Sequence, residues 1–480
     1  MKVVVAGASG FIGQLLLREL KNEVEWIALG RSVQPAKALP SSSPSALPPN
    51  SVTWRACDLF SLLQSENSLL GAEVAIYLVH SMLPRARLTQ SSFEDCDLLL
   101  ADNFARAAKL AGIKRIIYLG GIIPEPPSPE SGTEDHLSAH LRSRMEVEQA
   151  LASTGIPVTT LRAGLILGAE GSSFQMLYLL VRRLPVMICP KWTQTKTQCI
   201  DSKDVIDLIR YCLFHPSTTG KTYDIGAPEV LTYQDLMRIL AQALGVKRWF
   251  LSVRFFTPGL SRLWVQFITG ASKNLVRPLV ESLRHEMVVH KKELLTLYGK
   301  PLKSVHSSLL ECVKNIKPTL RGKTRERIQH LKHHPEVRSI QRFRLPAGRT
   351  ALWVANEYFL WLPRFLAPWI RVEQTEPDFW DFQFLFFKTP LLRLWYSKSR
   401  STRDRQLFYI RGGLLAAKNQ STHARLEFRE VLAGRALLAA IHEFKPSLPW
   451  PIYQWTQALA HLWVMANFKK HLGKAHSSVK

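Results

Sequence analysis

The sequence predicts an α/β protein: a doubly wound parallel sheet followed by a second, antiparallel α+β domain. Three observations carry this. Through the first 230 residues, short apolar runs rich in β-branched residues alternate with helical patterns. The first of those runs falls directly into three glycines, Gly7, Gly10 and Gly13, and then into a helical pattern. Beyond about residue 330 the rhythm changes to alternating apolar runs that end in one long amphipathic segment.

In chain order, "KVVVAG" reads as a strand and "GQLLLREL" as a helix, with further strands at "EWIALGR", "SVTWRACDL" and "EVAIYLVH". "FARAAKLAGIK" is a helix before the strand "RIIYLGG", and "LRSRMEVEQALAST" is a helix before the strand "PVTTLRAGLILG". Near-continuous apolar strands separated by helices imply a parallel sheet covered on both faces, with right-handed crossovers. The Pro/Ser-rich stretches 35–50 and 124–135 read as surface loops. The second follows the fifth strand, at the strand ends where such sheets take ligands. Residues 231–330 turn helical and basic, and "TYQDLMRILAQAL" is a helix with Thr232 as its N-cap. The polar stretch "KPTLRGKTRERIQHLKHHPE" marks a boundary, so the expected parts are 1–230, 231–330 and 331–480. In the last part "VRSIQRFRLP" alternates as a strand, and "TALWVANEYFLWLPRFLAPWI" reads as two short helices broken at Pro363. "FWDFQFLFFK", "LLRLWYSK", "RQLFYIRGGLLA", "ARLEFREVLAG" and "RALLAAIHEFKP" suit an antiparallel meander with one buried face. "PIYQWTQALAHLWVMANFKKHL" closes the chain as a long amphipathic helix.

A chain of 480 residues exceeds one ordinary domain, and 46% hydrophobic residues exclude global disorder. The net charge of +25 suits either anionic partners or a solvated basic exterior. Six cysteines without a CxxC pair read as reduced core residues of a cytosolic-type protein. The opening residues carry no secretory signal pattern, and no apolar stretch reaches the roughly 18–20 uncharged residues of a spanning helix. The expected location is the cytoplasm, with attachment at the periphery of the inner membrane as the other option.

The loop Gly7-Ala8-Ser9-Gly10-Phe11-Ile12-Gly13 follows a strand and opens a helix, the context in which a glycine triplet holds a dinucleotide. The first glycine permits the tight turn, the second lets backbone approach a pyrophosphate, and the third lets helix and strand pack closely. Free N–H groups at the helix N-terminus then face the phosphates. At the end of the second strand stand Arg31 and Ser32, where an acidic residue would accept from the ribose of NAD. A cation there favours the extra phosphate of NADP, so NADP(H) is expected over NAD(H).

The GxxGxxG spacing resembles the short-chain dehydrogenase/reductase superfamily, and more closely its extended and atypical, NmrA-like members. That resemblance implies a Rossmann fold and further cofactor contacts at matching positions. These are Asp58 in "ACDLF" at the adenine, Leu78, Val79 and His80 in "YLVH", Tyr118 and Gly120 in "RIIYLGG", and Arg162, Ala163 and Gly164 in "LRAGLILG" near the nicotinamide end. The pattern "YLVHSM…NFARAAKLAGIKRIIYLGG…LSAHLRSRMEVE…LRAGLILG" also resembles a bacterial group of atypical proteins and the NADPH-binding subunit of respiratory complex I, in which the nucleotide is structural. In that group a C-terminal domain of unknown function follows. The order of elements after residue 331 resembles the helix-grip fold of START and Bet v 1-like proteins, which implies an apolar cavity under the last helix; an ordinary α+β domain with a filled core is the other reading.

The superfamily relies on a Tyr-x-x-x-Lys pair on one helix and a serine after the fifth strand. Here the strand ends in Gly120-Gly121, and the matching helix offers only His140 and Arg144 at i,i+4. Two readings stay open: a histidine proton shuttle near neutral pH with a helping cation, or a helix that only anchors the cofactor.

Other motifs carry less. "TGKT" at 219–222 lacks the first glycine of a phosphate loop, with His215 in its place. "HEMVVH" at 285–290 spaces its histidines i,i+5 and reads as a solvated helix, His333-His334 need no ion, and no metal is expected. "LRGKTRERIQHLKHH" lacks a reading motif, so no nucleic acid is expected. The functions that remain are an NADP-dependent oxidoreductase or isomerase acting on an apolar carbonyl, quinone or lipid-like substrate, and a non-catalytic NADPH-binding sensor or assembly factor with a hydrophobic-ligand domain. Peripheral membrane contact through the basic, Trp-rich middle segment stands beside both.

Overall fold

The structure is a computed structural model that describes residues 1–31, 52–81, 88–125, 137–253, 280–316, 336–385 and 387–477. Ser32, the loops 35–50 and 126–135, most of the Trp-rich middle segment and the stretch 320–334 lie outside the described residues. The chain divides into two compact units, Met1–Met82 with Leu100–Glu326, and Leu83–Leu99 with Arg327–Lys480.

The first unit begins with β1 (Lys2–Ala6), α1 (Phe11–Glu19), β2 (Glu25–Gly30), β3 (Val52–Ala56), α2 (Leu62–Leu69) and β4 (Val74–Tyr77). The chain then leaves for the second unit as β5 (Leu88–Gln90) and returns along α3 (Phe93–Leu110). There follow β6 (Arg115–Gly121), α4 (Ala139–Ala152), β7 (Val158–Ala163), β8 (Ile166–Leu167), α5 (Ser172–Arg183), β9 (Val186–Pro190), β10 (Lys196–Thr197) and β11 (Ile200–Asp201). α6 (Ser202–Phe214), β12 (Thr222–Ile225), β13 (Leu231–Thr232), α7 (Tyr233–Ala243) and β14 (Trp249–Val253) come next. Helices Glu293–Tyr298 and Val305–Asn315 end the described part of this unit.

Seven strands form a parallel sheet in the order β12-β7-β6-β4-β1-β2-β3. Val3, Val4 and Val5 are all buried, as a strand covered on both faces requires. The order reverses between β1 and β4, and in open α/β sheets that reversal opens a crevice at the strand ends. α7 begins as the sequence predicts: Thr232 and Asp235 form a reciprocal capping box. All six cysteines are free and buried.

Several local expectations are corrected. "HEMVVH" is extended rather than helical. Met287 bridges Thr197, Val289 N–H donates to Gln198 Oε1 at 3.0 Å, and the Asp224 carboxylate accepts from His290 and Lys291 N–H. Burial of Met287 and Val289 against the sheet end outweighs any helical tendency. α2 and β14 were not expected. The Ser61 side chain caps α2, while β14 pairs parallel with β9 although Trp249 and Leu251 are exposed, which weakens any periodic signal.

The second unit is built on β15 (Val337–Arg344), the helix Ala351–Phe365, and the strands β16 (Ile370–Glu376), β17 (Phe379–Phe384), β18 (Leu392–Tyr396), β19 (Arg405–Gly412), β20 (Arg425–Val431) and β21 (Ala436–Phe444). Its sheet runs β16-β17-β18-β19-β20-β21-β15-β5, antiparallel except for the parallel β15–β5 edge. Helices Trp450–Trp455 and Gln457–Ser477 close the chain. The expected break at Pro363 does not occur. Pro363 sits in the last turn of a single helix, where one N–H is lost while Tyr358, Phe359, Trp361 and Leu362 stay buried. The closing segment, expected as one helix, is kinked at Thr456 (φ −121°, ψ −86°), where i to i−4 hydrogen bonds continue across the kink. Aromatic rings fill the space between sheet and helices: Phe468 lies 5.7 Å from Phe343, 5.0 Å from Tyr358 and 5.1 Å from Trp361. Among the described residues no helix is long and apolar enough to cross a membrane.

Candidate functional site

The glycine turn lies at the switch point. Gly7 adopts φ +89°, and a Cβ there would come within 2.9 Å of the Leu78 carbonyl, so the β1 and β4 ends touch through backbone. Gly10 N–H donates to the Gly7 carbonyl at 2.9 Å, closing the turn. A Cβ on Gly13 would fall 2.4 Å from the Gly7 oxygen, so only glycine lets α1 start this close to β1. Gly10 is the N-cap of α1, and no side chain caps that helix. Ser9 and Gly10 are exposed, Ala8 is buried, Ile12 packs on the sheet core, and the Phe11 ring lies against Gly168 and Gly171. An uncapped helix N-terminus behind an exposed backbone turn fits a diphosphate.

Around it, Arg31 is exposed at the end of β2. Asp58 follows β3 and turns inward at its own loop, where Oδ1 accepts from Phe60 N–H at 3.2 Å. After β4, Leu78 is half-buried, Val79 buried and His80 exposed. Tyr118 is a core residue: its hydroxyl donates to the Arg144 carbonyl at 3.2 Å, and its ring packs near Tyr77. Gly120, at the end of β6, lies over the Tyr118 ring. The Arg162 guanidinium engages Glu148 of α4 with two hydrogen bonds of 3.1 Å, and Thr222 adds a third contact to that carboxylate. Ala163 is buried, and a Cβ on Gly164 would meet the Gln198 carbonyl at 2.9 Å. These last residues fix the β7 end more than they present side chains.

His140 and Arg144 share one face of α4, as their spacing requires. The His140 ring sits in a hydroxyl cluster: Nδ1 is 3.1 Å from Ser282 Oγ, which is 3.0 Å from Ser138 Oγ. Ser138 is also the N-cap of α4. Burial lowers the His140 pKa to about 3, with the Arg144 and His80 charges adding to it. Burial therefore favours the neutral ring near pH 7. A neutral imidazole still carries one N–H and one acceptor nitrogen, enough to orient a carbonyl oxygen. The Arg144 stem packs beside Gly121. Ser138, Ser282 and Glu148 were missed by sequence reasoning. Only Ser138 had a local signal, as a serine just ahead of a helical pattern. Among the described residues no cluster of His, Cys, Asp and Glu could hold a metal.

A parallel sheet with a glycine turn at its switch point is the architecture of NAD(P)-binding domains of the epimerase and short-chain dehydrogenase type. Residues 3–226, just under half of the chain, match the NAD dependent epimerase/dehydratase family. The auxiliary protein GraX of Staphylococcus aureus is 31% identical over 120 residues, 25% of this chain and 36% of its own length. The mitochondrial NADH dehydrogenase (ubiquinone) 1 alpha subcomplex subunit 9 of Arabidopsis thaliana is 25% identical over 239 residues, 49% of this chain and 56% of its own. The chain thus spans about a third to just over half of these curated relatives. Among solved structures, a nucleoside-diphosphate-sugar epimerase from Staphylococcus aureus has a TM-score of 0.50 at 16% identity, over 65% of this chain and 100% of its own. Citrobacter sp. triphenylmethane reductase gives 0.50 at 18% identity over the same shares. Both likenesses concern the fold.

Proposed function

We propose that the first unit binds NADP(H) at the β1–α1 turn and serves as a reductase or isomerase for an apolar carbonyl, quinone or lipid-like substrate in the cytoplasm or at a membrane periphery. The observation that carries this is the uncapped α1 N-terminus behind a backbone turn that admits no Cβ at Gly7 or Gly13. Ala8 to Ile12 would hold the diphosphate through backbone, and Arg31 would meet the additional phosphate. Asp58 and the Leu78–His80 segment would line the adenosine and ribose side, and Arg162, Ala163 and Gly164 the nicotinamide side. When bound, the nicotinamide supplies or takes up hydride. His140, held neutral beside Ser282, would orient the substrate oxygen, and Arg144 would remain a fixed charge beneath it.

Calorimetric titration with NADPH and NADH tests the reading. NADPH should bind more tightly, Gly10→Leu should abolish binding, and Arg31→Glu should shift preference toward NADH. No measurable affinity for either coenzyme, or undiminished affinity in Gly10→Leu, refutes it. His140→Ala should keep NADPH affinity and lose turnover.

The second reading is a non-catalytic NADPH-binding role, as sensor or assembly factor. It is favoured by the missing Tyr-Lys pair and the low His140 pKa, and the Arabidopsis relative bears the name of a respiratory enzyme subunit. Retained NADPH without turnover across carbonyl and quinone panels would select it. In either reading the second unit, with the strand and helix order of a helix-grip domain, would receive an apolar ligand. A groove of about 540 Å³ between the closing helix and β15, where Phe343, Leu462 and Met465 meet the charged Asp95, Arg342, Arg344, Arg435 and Lys469, would suit an apolar ligand with an anionic end.

A further inference from the structure

The closing helices carry apolar residues on two opposite faces. One face is buried: Tyr453, Ala458, Met465, Phe468 and Leu472 enter the core of the second unit. The other exposes Ile452 at 50%, Trp455 at 75%, Leu459 at 50% and Trp463 at 53%. Spacings of three, four and four residues place these four on one stripe, and helical hydrogen bonding carries through Thr456: its N–H donates to the Ile452 carbonyl at 3.0 Å, and its carbonyl accepts from Ala460 N–H at 2.9 Å. The stripe does not end at the helix. The Trp463 ring packs against Phe365 at 4.8 Å, tilted by 38°, and the turn that follows Phe365 presents Trp369, half exposed.

Charge decides what such a ridge meets. Residues 450–477 include no acidic residue. The same helix continues past Trp463 into exposed Lys469 and Lys470, and Arg364 is exposed beside Phe365. Within the helix Ala351–Phe365 the only carboxylate is Glu357, which pairs with His471 at 2.8 Å. Tryptophans half out in water beside exposed cations, with the neighbouring carboxylates Glu357 and Asp95 already paired to His471 and Arg342, match the interface of an anionic bilayer. There indoles sit at headgroup depth while lysine and arginine reach the phosphates. A protein partner of equal apolarity would not require closing helices without a single acid.

We propose that the Ile452–Trp463 ridge of the second unit lies in the headgroup layer of an anionic membrane, so that the protein works as a peripheral membrane protein. This attachment is independent of nucleotide binding.

The test is flotation of the full chain with phosphatidylcholine vesicles and with phosphatidylcholine:phosphatidylglycerol 7:3 vesicles, at low salt and at 1 M NaCl. The full chain should float with the anionic vesicles and keep a measurable fraction bound at high salt, because indole insertion is not screened. Trp455→Ser/Trp463→Ser should lower vesicle affinity at least tenfold and abolish the high-salt fraction. Lys469→Gln/Lys470→Gln should weaken binding to anionic vesicles at low salt only, by about fivefold per charge. The four positions are exposed, so each variant should keep its circular dichroism spectrum and melting temperature. A full chain that stays in the dense fraction overturns the proposal, as does a serine variant that floats like the parent. A serine variant that turns a dimer into a monomer on size exclusion, with vesicle binding absent throughout, assigns the ridge to a second copy of the chain and overturns it equally.

Discussion

Single residues set the chemistry of both units. Glu427, 2% exposed, accepts from Arg405 Nε and Arg429 Nε at 2.7 Å each, and Arg425 Nε lies 3.6 Å from its other oxygen. Burial alone would raise its pKa, but the three guanidinium groups outweigh burial and hold the carboxyl well below the usual range. Glu427→Gln leaves buried cations without their counter-charge and should cost about 3–5 kcal/mol in chemical denaturation. A loss below about 1 kcal/mol would mean the arginines are stabilised by other means. Two histidines shift in the same direction for another reason, burial instead of charge pairing. Burial lowers His461 to about 4 and His140 to about 3, against 6.5 in the unfolded chain. The unfolded state therefore takes up protons that the folded state refuses as pH falls below 6.5. Stability present at neutral pH is lost toward pH 4, at about 1.4 kcal/mol per pH unit for each histidine. His461→Gln should flatten the acid limb of melting temperature against pH, and an unchanged limb would assign that limb to other groups. The glycine turn was legible in the sequence because each glycine answers a local need. The Ser282 partner of His140, 142 positions away, and the Arg162–Glu148 pair across strand and helix left no local trace.

Elements were legible in proportion to their apolar length. β1, β4, β6 and β7 are buried runs and stand where the pattern put them. β16 was missed because "IRVEQTE" is mostly exposed and charged, so neither face marks it as a strand. β5 has three residues and owes its existence to pairing with β15. Tertiary pairing, not propensity, made these strands. At α7 local and global preferences agree, and the capping box can be priced: Thr232→Ala should destabilise the first unit by about 1 kcal/mol. Thr232→Ser should restore most of that in thermal melts, since serine keeps the accepting oxygen. Equal loss in both variants would place the effect on the threonine methyl group.

At the scale of the whole molecule, the second unit is not a simple C-terminal appendage, since Leu83–Leu99 belongs to it. β15 pairs with β5 on one side and β21 on the other, and Arg342 meets Asp95 at 2.6 Å. A fragment of residues 327–480 would open the β15 edge, and exposed edges recruit other chains. Such a fragment should run as oligomers on size exclusion, and a peptide of residues 83–99 added in trans should reduce them. A monodisperse fragment without the peptide would show that β5 is dispensable. The same strand imposes a delay at birth. Gln90 is bonded to Gln341, 251 positions later. At a synthesis rate of ~5–20 residues per second, the first segment must wait roughly 12–50 s for its mate to leave the ribosome. During that interval the nascent chain carries a bare ribbon while the first unit is still being made, and anything that slows elongation lengthens the time it must be shielded.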